Sequence, residues 1–233
     1  MTDRLTQSVR HQLGLGRLLP LGGARDGAWI AEEAAEAVLR RAVRGLRGAR
    51  LEALRIALAD PESGQEPVVP PPPSGLPPGP LRVSARFAAT AEEPLPMTAA
   101  RLRSGLATAA TELLGLTVAE VDLKVTALLD EEPEAAPVRR PEPPSAAPAD
   151  DPAAVAALSV PGVVGLTAAL GRAVQIEERQ REDHSALPRR HVRVEVAVGA
   201  DHRALDVARA VRERVGKALP DHPTVAVLVT SVG

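Results

Sequence analysis

The chain has no cysteine, which excludes disulfides, thiol nucleophiles and thiolate metal sites. Aromatic residues are almost as scarce: Trp29 and Phe87 are the only two in 233 residues. Base-stacking platforms and aromatic sugar sites need more than that, so single-stranded nucleic acid and carbohydrate are poor ligand classes for it. A formal net charge of −2 gives no long-range pull toward nucleic acid or an anionic membrane. No window approaches the run of about 18 apolar residues that a membrane span requires, and no apolar signal core follows Met1. The expectation is a cytoplasmic chain with no direct span, and no nucleic acid partner.

What the chain has in excess is proline, alanine and arginine, with Arg outnumbering Lys 26 to 2. Sixteen of the 23 prolines fall in two tracts, residues 61–80 and 130–152. Such composition favours extended, solvated chain over a packed core. The second tract, 130–151, is therefore expected to be a disordered linker, and 61–80 an insertion. Residues 1–27, with GLGRLLPLGG at 14–23, are expected to be a flexible N-terminal segment.

Between these breaks the hydrophobic period is informative. Val192, Val194, Val196 and Val198 alternate, as on a strand with one buried face. Beyond Gly199, Ala204, Ala208, Val211, Val215 and Leu219 recur three to four apart, as on one helical face. Thr224–Val232 reads as a second strand, which suggests a βαβ crossover. The same order occurs earlier, in Leu81–Phe87, then Leu102, Leu106, Ala109 and Leu113, then Val121–Leu128. The offset is 111 residues at the first strand and 104 at the last. Val121–Leu128 (VDLKVTAL) and Val225–Val232 (VAVLVTSV) share a pattern of Val-x-apolar-x-Val-Thr-small-apolar. Each half also opens with an Ala-rich helix and a turn, at Leu46–Ala49 or Val160–Val163, then a strand, Leu51–Leu58 or Ala173–Glu178.

The fold expected is therefore α+β: two tandem α-β-β-α-β modules, 28–129 and 152–233. Each would be a three-stranded sheet with its helices on one face, the two packed as a pseudo-twofold pair. Val194, Val196, Val227 and Val229 are expected in the core, with Val83, Ala85, Leu123 and Val125 at equivalent places. Arg193 and Arg82 are expected to face solvent.

This order, with the Val160-Pro161-Gly162-Val163 turn and a closing V-x-V-x-V strand, resembles the alkaline shock protein family of bacterial envelope-stress proteins. The resemblance is best over Pro152–Val232 and weaker over Ala28–Leu128, where Arg47 replaces the turn proline. It implies a non-catalytic cytoplasmic interaction protein, its partner a membrane anchor protein that holds it at the inner face, with a homo-oligomer also open. No catalytic or cofactor-binding residues carry over from it. The Arg- and Ala-rich composition looks like that of an actinobacterial member. A small enzyme or ligand-binding protein on a ferredoxin-like βαβ scaffold is the alternative.

Three stretches invite a chemical reading, and each has a plainer one. Glycine-rich loops hold phosphate when they follow a strand and open a helix. In GLGRLLPLGG Pro20 interrupts and the third glycine is misplaced. Leu5, Val9 and Leu13 with Arg4, Arg10 and Arg17 form an amphipathic pattern suited to surface docking. The pairs Asp201-His202 and Asp221-His222 offer acid–base or metal-ligand chemistry. They bracket the helix of 203–219, which at about 1.5 Å per residue separates them by roughly 25 Å, so each Asp reads as a cap or turn residue. The run Glu177–Asp183 before His184 reads as a solvated hairpin loop. No residue is assigned a catalytic, cofactor-binding or metal-binding role.

Overall fold

A computed structural model describes residues 16–131, 151–179 and 189–233. The mixed α+β chain forms two sheets around a continuous apolar cluster that includes Trp29, Phe87, Leu106 and Val227. No helix among the described residues is long and apolar enough to cross a membrane.

The smaller sheet holds β3 (Ala49–Leu58), β4 (Leu81–Thr90) and β5 (Val118–Leu129), in that order. β3 is antiparallel to β4, and β4 parallel to β5. The crossover between β4 and β5 is α2 (Leu95–Ala109), which runs on through a π-helical turn, Ala110–Leu114. That helix has Pro96 in its first turn, where a missing N–H costs no hydrogen bond.

The larger sheet has six strands. Its order is β1 (Leu18–Leu21), β2 (Ala28–Ala31), β9 (Thr224–Val232), β8 (Arg189–Val198), with β6 (Val163–Leu166) and β7 (Val174–Arg179) both paired to β8. β6 takes the Val196–Val198 end of β8 and β7 takes the Arg189–Val194 end. Together they do what unbroken β3 does for β4. α4 (Ala204–Ala218) crosses from β8 to parallel β9 and buries Leu205, Val207, Ala208, Val211 and Val215. α1 (Glu32–Val43) and α3 (Pro152–Leu158) complete the helices.

The strand-helix-strand order read from sequence is found in each half, after a strand antiparallel to the first, but β1, β2 and β6 lie outside the α-β-β-α-β order that was expected. The two halves do not form separate modules with equivalent sheets, however. β2, from the first half, pairs in parallel with β9, matching Ala28 to Val227, Trp29 to Leu228 and Ile30 to Val229. β9 thus lies inside its sheet, while β5 lies at an edge. The pairing also slips. Val192 meets Val225, whereas Val83, not Leu81, meets Val121.

Residues 18–27 do not form a flexible segment. Leu18, Leu19 and Leu21 are at most 1% exposed, and Pro20 sits on an edge strand, where proline is tolerated. Ala28–Ala31, expected to begin a helix, is a strand because Trp29 and Ile30 fill the space beside β9. The proline tract 61–80 is solvated only in part: residues 61–66 are exposed, whereas the remainder lies as a strap on the fold, with Val69, Pro72 and Pro78 buried. Trp29 Nε1 donates to the Leu76 carbonyl at 3.0 Å, Leu76 N–H donates to Leu18, and Val69 is buried. Extended proline chain can lie on a surface without losing hydrogen bonds of its own. The tract at 130–151 lies almost wholly outside the described residues, as do residues 1–15.

Contacts across the halves are specific. Arg209 of α4 bonds both oxygens of Asp26 in the β1–β2 turn, at 2.8 and 3.2 Å. Gly115 has φ 85°, and a Cβ there would lie 2.4 Å from Leu205 Cβ, so the end of α2 can approach α4 only as glycine.

Candidate functional site: a buried polar cluster and an open sheet edge

The glycine-rich loop carries its own anion. Gly23 N–H donates to the Asp26 carboxylate at 2.7 Å, in the place a phosphate would take. Burial works to raise the Asp26 pKa, but Arg209 and the Gly23 N–H outweigh it and hold the carboxyl below its usual range. The amphipathic pattern at Leu5, Val9 and Leu13 lies outside the described residues.

The histidine pairs stay apart, one at each end of α4. His202 Nδ1 is 3.0 Å from Asp201 at an exposed position, and that hydrogen bond lowers the Asp201 pKa. Asp201 does not cap the helix; Arg203 occupies that position without a side-chain capping bond. His222 adopts φ 44° and sits 3.2 Å from the Gly216 carbonyl, while Asp221 pairs with Arg190 at 3.0 Å. Glu177 and Glu178 end β7, and residues 180–184 lie outside the described residues.

Sequence reasoning missed the other face of β8. Alternating with its core valines are His191, Arg193 and Glu195, which are 6%, 7% and 0% exposed. Arg193 was expected to face solvent; instead it lies with Pro71, Pro72 and Pro73 of the strap around one cavity, flanked by Gln175 of β7, its neighbour in the sheet. Arg193 Nη2 donates to Gln175 at 2.7 Å and stands 3.5 Å from Glu195. The loop between β6 and β7 wraps Glu195, with Leu170 N–H donating to its carboxylate at 3.1 Å. Burial pushes the Glu195 carboxyl up to about 7, against the opposing pull of the Leu170 N–H and Arg193. His191 Nδ1 lies 2.9 Å from Thr224 Oγ1.

Pro71, Pro72 and Pro73 of the strap, with Gln175, Glu177, His191 and Arg193, line a cavity of about 180 Å³. Arg193 Nε is buried beside it with no hydrogen-bond partner among the described residues. A buried donor left unpaired is uncommon and marks a place for a water or a small acceptor. The lining offers hydrogen bonds and nearby titrating groups, but no Ser, Thr or Lys nucleophile. Among the described residues, no group of three or more His, Asp or Glu could hold a metal ion.

The second feature is β5. One side pairs with β4 over its length, and no strand among the described residues pairs with the other. Val125, expected in the core, is 38% exposed, and Leu128 is 61% exposed. Arg103 Nε of α2 donates to the Val121 carbonyl at 3.2 Å. Long open edges invite another strand, and natural sheets usually cover, charge or bend them. The charges at Glu120, Asp122 and Lys124 meet that description in part. They were also the signal in the sequence, since β9 has Ala226 and Leu228 where β5 has Asp122 and Lys124.

Comparison with protein-family models and with characterised proteins finds no match.

Proposed function

We propose that this chain is a non-catalytic interaction protein whose partner-binding element is the β5 edge. The observation that carries the reading is the contrast within one sequence pattern: β9 is buried nearly throughout, whereas β5 leaves Val125, Ala127 and Leu128 exposed along an unpaired edge. An edge of this kind binds by strand addition, with main-chain bonds giving affinity and alternate side chains giving selectivity. The connection to envelope homeostasis, with a cytoplasmic location held at the membrane through an anchor protein, rests on the family resemblance of Pro152–Val232. A photo-crosslinking residue at Leu128 tests the reading in native lysate split into membrane and soluble fractions. A protein adduct that disappears when Val125 is changed to Lys is the expected result. No adduct at Leu128, with the fold intact, overturns it.

A ligand-binding role is the second reading, favoured by the orphan Arg193 Nε beside a cavity. Under that reading Arg193→Met removes a ligand-dependent rise in melting temperature while the β5 edge still crosslinks.

A further inference from the structure

We infer that the β5 edge pairs with the β5 edge of a second copy of this chain, antiparallel and centred on Leu123, to join two three-stranded sheets into one of six. The inference rests on the edge being the binding element and adds the identity of its occupant.

The register of β5 favours this pairing. Between its two irregularities, at Leu81/Arg82 and Phe87/Ala88 of the facing strand, β5 is regular from Glu120 to Val125. An antiparallel partner centred on Leu123 places Asp122 opposite Lys124 twice, once on each side of the axis. It places Val121 opposite Val125, Leu123 opposite itself, and Glu120 opposite Thr126. Opposite charges and apolar pairs across strands are the arrangements that stabilise a sheet. The neighbouring registers that keep the same faces together do worse. Centring on Asp122 sets that carboxylate against its own copy, and centring on Lys124 sets two ammonium groups together. A one-residue slip from Leu123 instead turns every side chain to the wrong face.

The contacts within the chain are compatible with this pairing. Glu120 and Asp122 both lie within ion-pair distance of Arg82, at 2.7 and 3.4 Å, and remain about half exposed or more. Lys124 is exposed on the same strand. The Arg103 side chain on the Val121 carbonyl comes from an exposed helix position, and an incoming strand displaces it. An axis normal to the sheet keeps the helices of both copies on one face, so their layers extend side by side.

The full chain is measured by sedimentation equilibrium from about 1 to several hundred micromolar, at low salt. The wild type is expected to dimerise reversibly. Lys124→Glu and Asp122→Lys should each weaken the dimer at least tenfold, because each sets two like-charged pairs across the axis. Mixed in equal amounts, the two variants should associate with each other more tightly than either does with itself. The double variant Asp122→Lys/Lys124→Asp should recover most of the wild-type affinity. Circular dichroism and melting temperature confirm that each variant folds, and Lys124→Glu is independent of the Arg82 contact that Asp122→Lys removes. A wild type that stays monomeric throughout overturns the inference. So does a dimer indifferent to both single reversals, or a double variant no better than either single one. Crosslinking at Leu128 to a different protein, with the chain monomeric, removes self-pairing but leaves the edge as the binding element.

Discussion

β5 and β9 share a residue pattern and a place after a crossover helix, yet one is half open and the other sealed. The difference lies in what stands beside them. β9 has β8 on one side and β2 on the other, so its backbone is paired at both edges and its faces are covered. β5 has only β4. A four-residue strand from the opposite end of the chain decides which copy of the pattern becomes core. Duplicated patterns need not give equivalent burial, because burial belongs to the assembly and not to the strand.

The largest effect should come from setting the same charge in both strands. Val227→Asp places a carboxylate where the side chain is 0% exposed, at a cost of about 4 kcal/mol or more, a large share of the total stability of a domain. Val125→Asp should fall within about 0.5 kcal/mol, as exposed substitutions do. Urea denaturation of the two variants tests this, and equal losses would mean that β5 is covered after all.

Removing the strand that seals β9 comes next. Trp29→Ala should cost about 3–5 kcal/mol, by loss of a large buried side chain. It also removes the bond to Leu76, so limited proteolysis should begin to cut within 61–80. Resistance of the variant strap would show that its packing does not depend on Trp29.

A third pair compares the two arginines that the sequence treats alike. Arg193→Glu should cost about 3 kcal/mol, since it leaves Glu195 buried beside a second carboxylate. Arg82→Glu loses only exposed, solvent-screened ion pairs with Glu120 and Asp122 and should cost far less. Similar losses at both positions would sink the assignment of Arg193 to a covered face.

The smallest effect is a pH slope. Glu195 ordinarily titrates near 4.5 and in the fold near 7. Between those values the folded chain keeps a proton that the unfolded chain has released. Stability therefore falls as pH rises through this window, by a few kcal/mol at most, and levels off above it. Melting temperatures from pH 5 to pH 8 should decline, and Glu195→Gln should remove this part of the slope. An unchanged slope in that variant would place the titration elsewhere.

Much of the local structure was legible in the sequence. Period-two valines marked β8, and period 3.6 marked α4, because burial of one face imposes those spacings. The covering of the opposite face was not legible. His191, Arg193 and Glu195 look like any solvent row in a strand, and alternation carries no information about what lies above it. Proline-rich composition suggested a solvated strap for the same reason, since its packing depends on Trp29 and Leu18, more than forty residues away.

By itself, then, the sequence determined the helices and strands that carry a clear period, such as β4, β8, β9 and α4, and the strand-helix-strand order of each half, but not the short strands β1, β2 and β6. Those are local consequences of side-chain period and turn chemistry. The tertiary structure alone decided that β2 joins β9, that the strap lies beside Arg193 while the β6–β7 loop wraps Glu195, and that β5 is left, among the described residues, with an open edge. Each of these depends on contacts between residues far apart in the chain, and backbone hydrogen-bonding capacity is the same at every strand edge until another segment arrives to fill it.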